Sequence, residues 1–235
     1  AERIYVGKRS GENPGYQETI NALLVEKARE GKRVVRLKGG DPFIFGRGGE
    51  EAEALRAAGI AYEVVPGVTA GYAVPAYAGI PITHREVTST VAFITGHADP
   101  EAPDSPVRWE KLATATGTLV LYMAWRNLGA IARRLIACGR SPETPVAVIR
   151  WGTTPLQETV TGTLADIAAR VRARGLKPPT VTVVGEVVSL RETLGWFERL
   201  PLFGRRIVVT RARHQAGALT RGLRERGALP IALPT

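Results

Sequence analysis

Cysteine, methionine and histidine are rare in this sequence, and long apolar runs are absent. Its 235 residues include one cysteine, one methionine and three histidines. The single thiol, Cys138, excludes an internal disulfide, and the histidines have no metal-ligand spacing, so we expect no disulfide framework and no bound metal. No stretch approaches the roughly 18 apolar residues of a membrane-spanning helix. We therefore expect a protein of the reducing cytoplasm that does not enter a membrane.

Basic residues outnumber acidic ones, 32 to 22, which gives a net charge of +10. From Gly204 onward seven arginines face one glutamate, so this tail carries +6 and residues 1–203 carry the remaining +4. Aromatic residues make up 6% and are not interleaved with the arginines, which does not favour a stacking surface for single-stranded nucleic acid. We expect no nucleic-acid partner, and a non-enzymatic binding module built on the basic tail is kept as an alternative.

The hydrophobic periodicity alternates between strand and helix, which predicts an α/β fold with a largely parallel sheet. Predicted strands are 3–6, 33–38, 61–65, 91–95, 118–123, 145–150 and 181–188, and predicted helices are 16–30, 48–58, 69–78, 128–137 and 163–174. Residues 207–233 read as one further β-α-β unit. Because such a unit alone buries too little surface to be stable, and the first residues already have a strand pattern, we expect the chain to be truncated at both ends.

Two glycine-containing corners are the strongest candidates for a site. Gly39-Gly40-Asp41-Pro42 follows a predicted strand, at the carboxyl edge where α/β sheets bind ligands. The alternative is a tight turn in which Asp41 accepts hydrogen bonds from nearby amides. Thr69, in the second corner, either caps the following helix or offers its hydroxyl to a ligand. Lys8 is either a solvated lysine or an acid/base group.

A second glycine run lies before the predicted helix 48–58. Gly46, Gly48 and Gly49 suggest an anion site at the helix N-terminus, although no Gly-Lys-Ser/Thr follows as a Walker loop requires.

Five segments together resemble the tetrapyrrole methylases, and within them the uroporphyrinogen-III C-methyltransferases. They are residues 6–9, 36–50, 65–69, 78–85 and 95–97, in the same order over residues 1–199. Residues 204–216 resemble the opening of the uroporphyrinogen-III synthases. The chain therefore looks like a piece of a methyltransferase–synthase fusion.

The resemblance implies a two-domain arrangement with S-adenosylmethionine in the cleft between the domains, and a homodimer. The implied domains are an N-terminal methylase domain at 1–87, a C-terminal methylase domain at 88–199, and a linker with the start of a synthase-like domain at 200–235. The implied cofactor residues are Gly39, Gly40, Asp41, Ile44, Thr69, Ala70, Met123 and Gly152. Without the resemblance, Met123 would be interpreted as a core residue of a strand. Lys8 takes the position of a proposed general acid.

The implied reaction is the S-adenosylmethionine-dependent C-methylation of uroporphyrinogen III to precorrin-2, through precorrin-1, in sirohaem or cobalamin biosynthesis. Because the substrate is a polycarboxylate, Arg47, Arg85 and Arg126 are candidate clamps, with surface arginines as the alternative interpretation. A methylase of a later corrin intermediate is a second alternative. The family begins with a strand, a cofactor-binding loop and an acidic base that have no counterpart in this chain, so we expect its own activity to be impaired.

Overall fold

The computed structural model describes residues 2–7, 16–212 and 215–233. The chain divides into two compact units, Ala1–Thr69 and Ala70–Thr235. Within the described ranges, no helix is long and apolar enough to cross a membrane.

The first unit contains helices α1 (Tyr16–Arg29) and α2 (Gly48–Ala57), close to the predicted bounds. Ile20 and Leu24, one turn apart, form the buried face of α1. Gln17 of α1 donates a hydrogen bond to Glu51 of α2, with Nε2 and Oε1 3.3 Å apart. The two helices are therefore joined by polar as well as apolar contacts.

The three strands predicted in this unit are not formed among the described residues. Residues 3–6, 33–38 and 61–65 have no strand assignment. Several apolar side chains in them face solvent, with Val35, Leu37 and Val65 80%, 86% and 74% exposed. A strand needs a neighbouring backbone to complete its hydrogen bonds. The alternating side-chain pattern does not report on that neighbour, which is why this prediction was wrong.

The second unit is built on a five-stranded sheet. The strands are β1 (Val91–Thr95), β2 (Thr118–Tyr122), β3 (Pro145–Arg150), β4 (Glu158–Thr163) and β5 (Thr180–Val184). Their order in the sheet is β1-β2-β5-β3-β4. Only β1 and β2 pair in parallel, and the other three pairings are antiparallel. The prediction of a largely parallel sheet was therefore wrong. The connection at 151–157 is too short for the crossover that parallel neighbours require.

Helices cover both faces of this sheet. They are α3 (Ala70–Tyr77), α4 (Trp109–Ala115), α5 (Leu128–Ala137), α6 (Ile167–Arg174) and the single turn α7 (Arg191–Leu194). One core contains Leu119 and Leu121 of β2, and the other contains Val120. Because successive residues of β2 enter opposite cores, the strand is buried on both faces, as its continuous apolar run predicts.

Several elements of the second unit differ from the sequence prediction. Helix α6 begins at Ile167 and not at 163, because Thr163 ends β4. Strand β4 and helix α4 were missed because β4 is largely polar and α4 is short. The predicted strand 181–188 ends at Val184, because Gly185 adopts φ +142° and the chain continues as a 3-10 turn at Glu186–Leu190. A left-handed φ of this kind is open mainly to glycine.

The tail forms the predicted β-α-β unit. It consists of β6 (Arg206–Val209), α8 (Gly217–Glu225) and β7 (Leu229–Ala232), with the two strands parallel. A second 3-10 turn, Phe197–Arg199, precedes it. Phe197 of that turn packs edge-on against both Tyr77 and Phe203. The segment before the tail is thereby fixed to the end of α3.

Candidate functional site

Asp41 holds the two glycine corners of the first unit together. Its Oδ1 accepts a hydrogen bond from the Phe43 amide and its Oδ2 accepts one from the Gly67 amide, each at 2.8 Å. These two bonds, Gly67 first, hold the pKa of Asp41 below its ordinary value. These are the contacts that the tight-turn interpretation expects, in which Asp41 accepts hydrogen bonds from nearby backbone amides. Its ionised carboxylate shapes both corners at once.

Glycine is required where the two corners meet. A Cβ on Gly67 would overlap the Gly40 carbonyl oxygen, and Gly40 itself has φ +75°. A Cβ on Gly40 would lie 3.9 Å from the Cα of Thr69, which is itself buried. Gly39 has no neighbour within 4 Å of its missing side chain. Of the predicted cofactor residues, Gly39, Gly40, Asp41 and Thr69 therefore come together, with open backbone at Gly39.

The loop between Asp41 and α2 is strained. Phe45 and Arg47 adopt φ 53° and 59°, a region that residues with side chains rarely occupy. Gly46 and Gly48 pack so closely on the Pro42 carbonyl that side chains would overlap it. This packing accounts for Gly46 and Gly48, whereas Gly49 has no neighbour within 4 Å of its missing side chain. Ile44 lies in the same loop, half-buried.

Arg47 is bound to Glu50, so it is not free to clamp a substrate. Its Nε donates to Glu50 Oε1 at 2.7 Å, and its Nη2 pairs with the other carboxylate oxygen. A substrate carboxylate would have to displace Glu50, and we rank this candidate below the other two arginines for that reason.

Sequence reasoning missed a buried ionic cluster next to this corner. Glu51, 5% exposed, pairs with Lys38 Nζ at 2.7 Å and with Arg36 Nε at 3.1 Å. Burial by itself raises the pKa of Glu51, but the hydrogen bond and charge of Lys38, with the charge of Arg36, outweigh it and leave the pKa below its ordinary value. Lys38 directly precedes Gly39. The cluster therefore anchors the glycine corner to α2.

In the second unit, three strands end at one edge of the sheet. Strands β2 and β3 both run antiparallel to β5, and β1 runs parallel to β2, so Thr95, Tyr122 and Arg150 lie at the same edge. Ligands of sheet proteins commonly bind beyond such carboxyl ends. The residues that follow the strands at this edge are therefore the candidates of this unit.

The backbone beyond these strand ends is strained. Met123, Trp151 and Thr153 adopt φ 54°, 48° and 68°, the left-handed region. The side chain of Met123 is 56% exposed, so it does not fill the core. Non-glycine residues in this conformation concentrate at functional sites. The geometry favours the ligand interpretation of Met123 over the core interpretation.

Helix α3 lies over the same edge. A side chain at Gly152 would overlap Val74 of α3, and a side chain at Gly71 would overlap the Tyr122 hydroxyl. Ala70, the first residue of α3, and Tyr122 both pack against the core that contains Val74 and Val120. Ala70, Met123 and Gly152, the predicted cofactor residues of this unit, are therefore all carried by elements that meet at one edge.

Asn127 is a second residue that sequence reasoning missed. Its side-chain amide donates to the carbonyls of Gly96, His97 and Ala98 at 2.9, 3.0 and 2.9 Å. It thereby fixes the loop that follows β1. Its position just before α5 was the only sequence signal, and that signal equally predicts an ordinary helix cap.

The remaining predicted residues differ in what surrounds them. Arg85 and Arg126 are exposed, and neither forms an ion pair with a carboxylate in the described ranges. Arg126 belongs to the segment that begins with Met123, beyond β2. Lys8 lies outside the described residues. Two of the three candidate clamps are thus available to an anionic ligand.

Comparison with known proteins places this arrangement in a family. The profile of the tetrapyrrole (corrin/porphyrin) methylases matches residues 2–168. The S-adenosyl-L-methionine-dependent uroporphyrinogen III methyltransferase of Methanosarcina barkeri is 56% identical over 195 residues, covering 83% of this chain and 76% of that protein. The siroheme synthase of Azotobacter vinelandii is 55% identical over 198 residues, covering 84% of this chain and 42% of that protein. The chain thus spans less than half of the latter relative.

Solved structures give the same grouping. The uroporphyrin-III C-methyltransferase of Thermus thermophilus complexed with S-adenosyl homocysteine superposes with a TM-score of 0.64 at 36% identity, over 80% of this chain and 78% of that one. A cobalt precorrin-4 methyltransferase superposes with a TM-score of 0.66 at 27% identity, over 76% and 73%. From the profile match and these identities, the chain belongs to the tetrapyrrole methylase family.

Proposed function

We propose that this chain methylates carbon atoms of uroporphyrinogen III with S-adenosylmethionine, giving precorrin-2 through precorrin-1. The observation that carries the proposal is the 56% identity, over 83% of the chain, to a relative named for this cofactor and this substrate. The strained, half-exposed Met123 and the open backbone at Gly39 supply the local geometry that a cofactor site requires.

The residues present fit the cofactor. The open backbone at Gly39 lets a ligand approach closely, and the exposed thioether of Met123 offers an apolar surface. We propose contacts from Gly39, Gly40, Asp41, Ile44 and Thr69 in the first unit and from Ala70, Met123 and Gly152 in the second. When bound, S-adenosylmethionine supplies a methyl group activated by a sulfonium. The residues of the chain position the two reactants, which is the main contribution that a methyl transfer asks of a protein.

The substrate carries carboxylates, and the two exposed arginines without an ion-pair partner in the described part of the chain suit them. Arg85 and Arg126 can each bind a carboxylate through two parallel hydrogen bonds. Arg47 takes part only if Glu50 is displaced. Lys8 is proposed as the general acid that moves a proton during methylation, as the resemblance implies.

The wider organisation of the protein is proposed on the same basis. The methylase domains cover 1–87 and 88–199, and residues 200–235 are a linker with the start of a synthase-like domain. The protein is a cytoplasmic homodimer. Coupling a synthase to the enzyme that uses its product is chemically sensible, and it favours uroporphyrinogen III over a later corrin intermediate.

Two measurements on the protein at its natural length test the proposal. Calorimetric titration with S-adenosylhomocysteine should give saturable binding. Incubation with uroporphyrinogen III and S-adenosylmethionine should give a product heavier by two methyl groups in mass spectrometry. Absence of binding, or methylation of a later corrin intermediate alone, would refute it.

A further inference from the structure

We propose that Gln157 and Glu198 are positioning residues of the methyl-transfer site, because a polar relay through them, buried at Gln157, holds the strained loop 151–154. The inference rests on the proposed function, since this loop carries Gly152 of the proposed cofactor set. Neither residue belongs to the proposed cofactor or substrate contacts.

The relay begins at the loop. The Thr153 amide donates to Gln157 Oε1 at 2.9 Å, and Gln157 Nε2 donates to Glu198 Oε1 at 2.7 Å. Gln157 is 4% exposed, so water does not substitute for either partner. One side-chain amide supplies both the acceptor and the donor. Leucine could supply neither group, and glutamate could supply only the acceptor.

The relay continues to the helix above the same sheet edge. Glu198 Oε1 also accepts from the Thr159 hydroxyl at 2.7 Å, and its Oε2 pairs with Arg191 Nη2 at 2.6 Å. The other terminal nitrogen of Arg191, Nη1, donates to the carbonyl of Ala78, the residue just beyond the end of α3. One chain of bonds therefore links the strained loop to the helix that begins at Ala70.

The loop depends on this support. Trp151 and Thr153 both hold left-handed φ values, which the surrounding structure must impose. Trp151 is 43% exposed, so its own packing provides little of that constraint. The other hydrogen bonds of the loop, such as Thr154 Oγ1 to the Trp151 carbonyl at 2.7 Å, reach no further than Leu156 and the Gln157 amide. Gln157 and Glu198 supply the side-chain hydrogen bonds that connect the loop to the rest of the unit.

Glu198 is itself held rigidly. It lies on the 3-10 turn whose first residue, Phe197, is 6% exposed and packs against Tyr77. A carboxylate on a fixed turn can define the position of a partner, whereas one on a mobile side chain cannot.

The decisive test exchanges the two ends of the central hydrogen bond. Gln157→Glu retains size and the acceptor for Thr153, but it places a second carboxylate against Glu198. We expect S-adenosylhomocysteine affinity to fall about tenfold, the effect of losing one part-buried hydrogen bond to a charged group. Amide hydrogen exchange of residues 151–154 should accelerate without ligand. The double variant Gln157→Glu/Glu198→Gln reverses donor and acceptor, and it should restore both readouts to near wild type.

The control variant replaces Asp166, a carboxylate elsewhere in the unit that also accepts two hydrogen bonds. Asp166 accepts from the Thr163 amide at 2.8 Å and from Arg170 Nε at 2.6 Å, and none of these groups belongs to the relay. Asp166→Asn should lower stability and leave the affinity unchanged. If it weakens binding as much as Gln157→Glu, or if the double variant binds no better than the single one, the inference is overturned.

Two further outcomes separate this inference from the proposed function. Wild-type affinity in Gln157→Glu overturns the inference alone, and absence of binding by the wild type overturns the proposed function and the inference together. Should Gln157→Glu fail to fold, Glu198→Gln gives the second measurement. Weaker binding with faster exchange at 151–154 supports the relay, and wild-type values for both overturn it.

Discussion

Replacing Glu51 with glutamine removes the charge that Lys38 and Arg36 share at the start of α2. The side chains of Glu51 and Lys38 are 6% and 9% exposed, so the lysine would remain buried without a counter-charge. Breaking a buried pair by removing one partner costs about 3–5 kcal/mol. Because glutamine keeps an acceptor for the Lys38 ammonium, we expect the lower end, about 3 kcal/mol.

The assay is urea unfolding followed by circular dichroism, with Glu50→Gln as a matched control one residue away. The Glu50 and Arg47 side chains are 48% and 42% exposed. An exposed pair of this kind contributes about 0.5 kcal/mol. Equal losses in the two variants would refute the argument, since they would mean that burial of the cluster does not set its energy.

The stabilisation that Glu51 provides depends on pH. The pKa of Glu51 is lower in the folded protein than its ordinary value of 4.5. Its contribution to stability is therefore present above that value and is lost as pH falls through the folded pKa. The difference in unfolding free energy between wild type and Glu51→Gln should be constant near pH 7 and shrink below pH 4.5. A difference that grows on acidification would contradict the assigned direction.

Three further predictions concern the site. Asp41→Asn replaces one carboxylate oxygen, which accepts from the Gly67 or the Phe43 amide, with an NH2 group that can only donate. We therefore expect S-adenosylhomocysteine affinity, measured by calorimetry, to fall about tenfold. Unchanged affinity would remove this corner from the cofactor site. Met123→Ala should change the unfolding free energy by about 0.5 kcal/mol or less while weakening cofactor binding, because the side chain is exposed; a loss of several kcal/mol would restore the core interpretation. We expect Arg126→Gln and Arg85→Gln each to raise KM for uroporphyrinogen III without changing S-adenosylhomocysteine affinity. An unaltered KM would support the alternative that both are ordinary surface arginines.

Local sequence patterns were sufficient for several elements. Strands β1 and β3 and helix α5 begin and end at the predicted residues. The β-α-β tail was also predicted, because continuous apolar runs and helical periodicity are properties of short segments. The motifs around Asp41 and Thr69 gave the family for a related reason. Close backbone approach restricts residue types at fixed positions along the chain.

Tertiary structure alone decided how these segments are joined. The hydrogen bond from Gly67 to Asp41 spans 26 residues, and the one from Gln157 to Glu198 spans 41. The antiparallel pairing of β5 with both β2 and β3 places three strand ends at one edge. No periodicity encodes such partners, because a side chain's hydrogen bonds and the direction of its neighbouring strand depend on residues distant in sequence. The same dependence made the strand prediction fail in the first unit, where extended apolar segments have no ladder partner among the described residues.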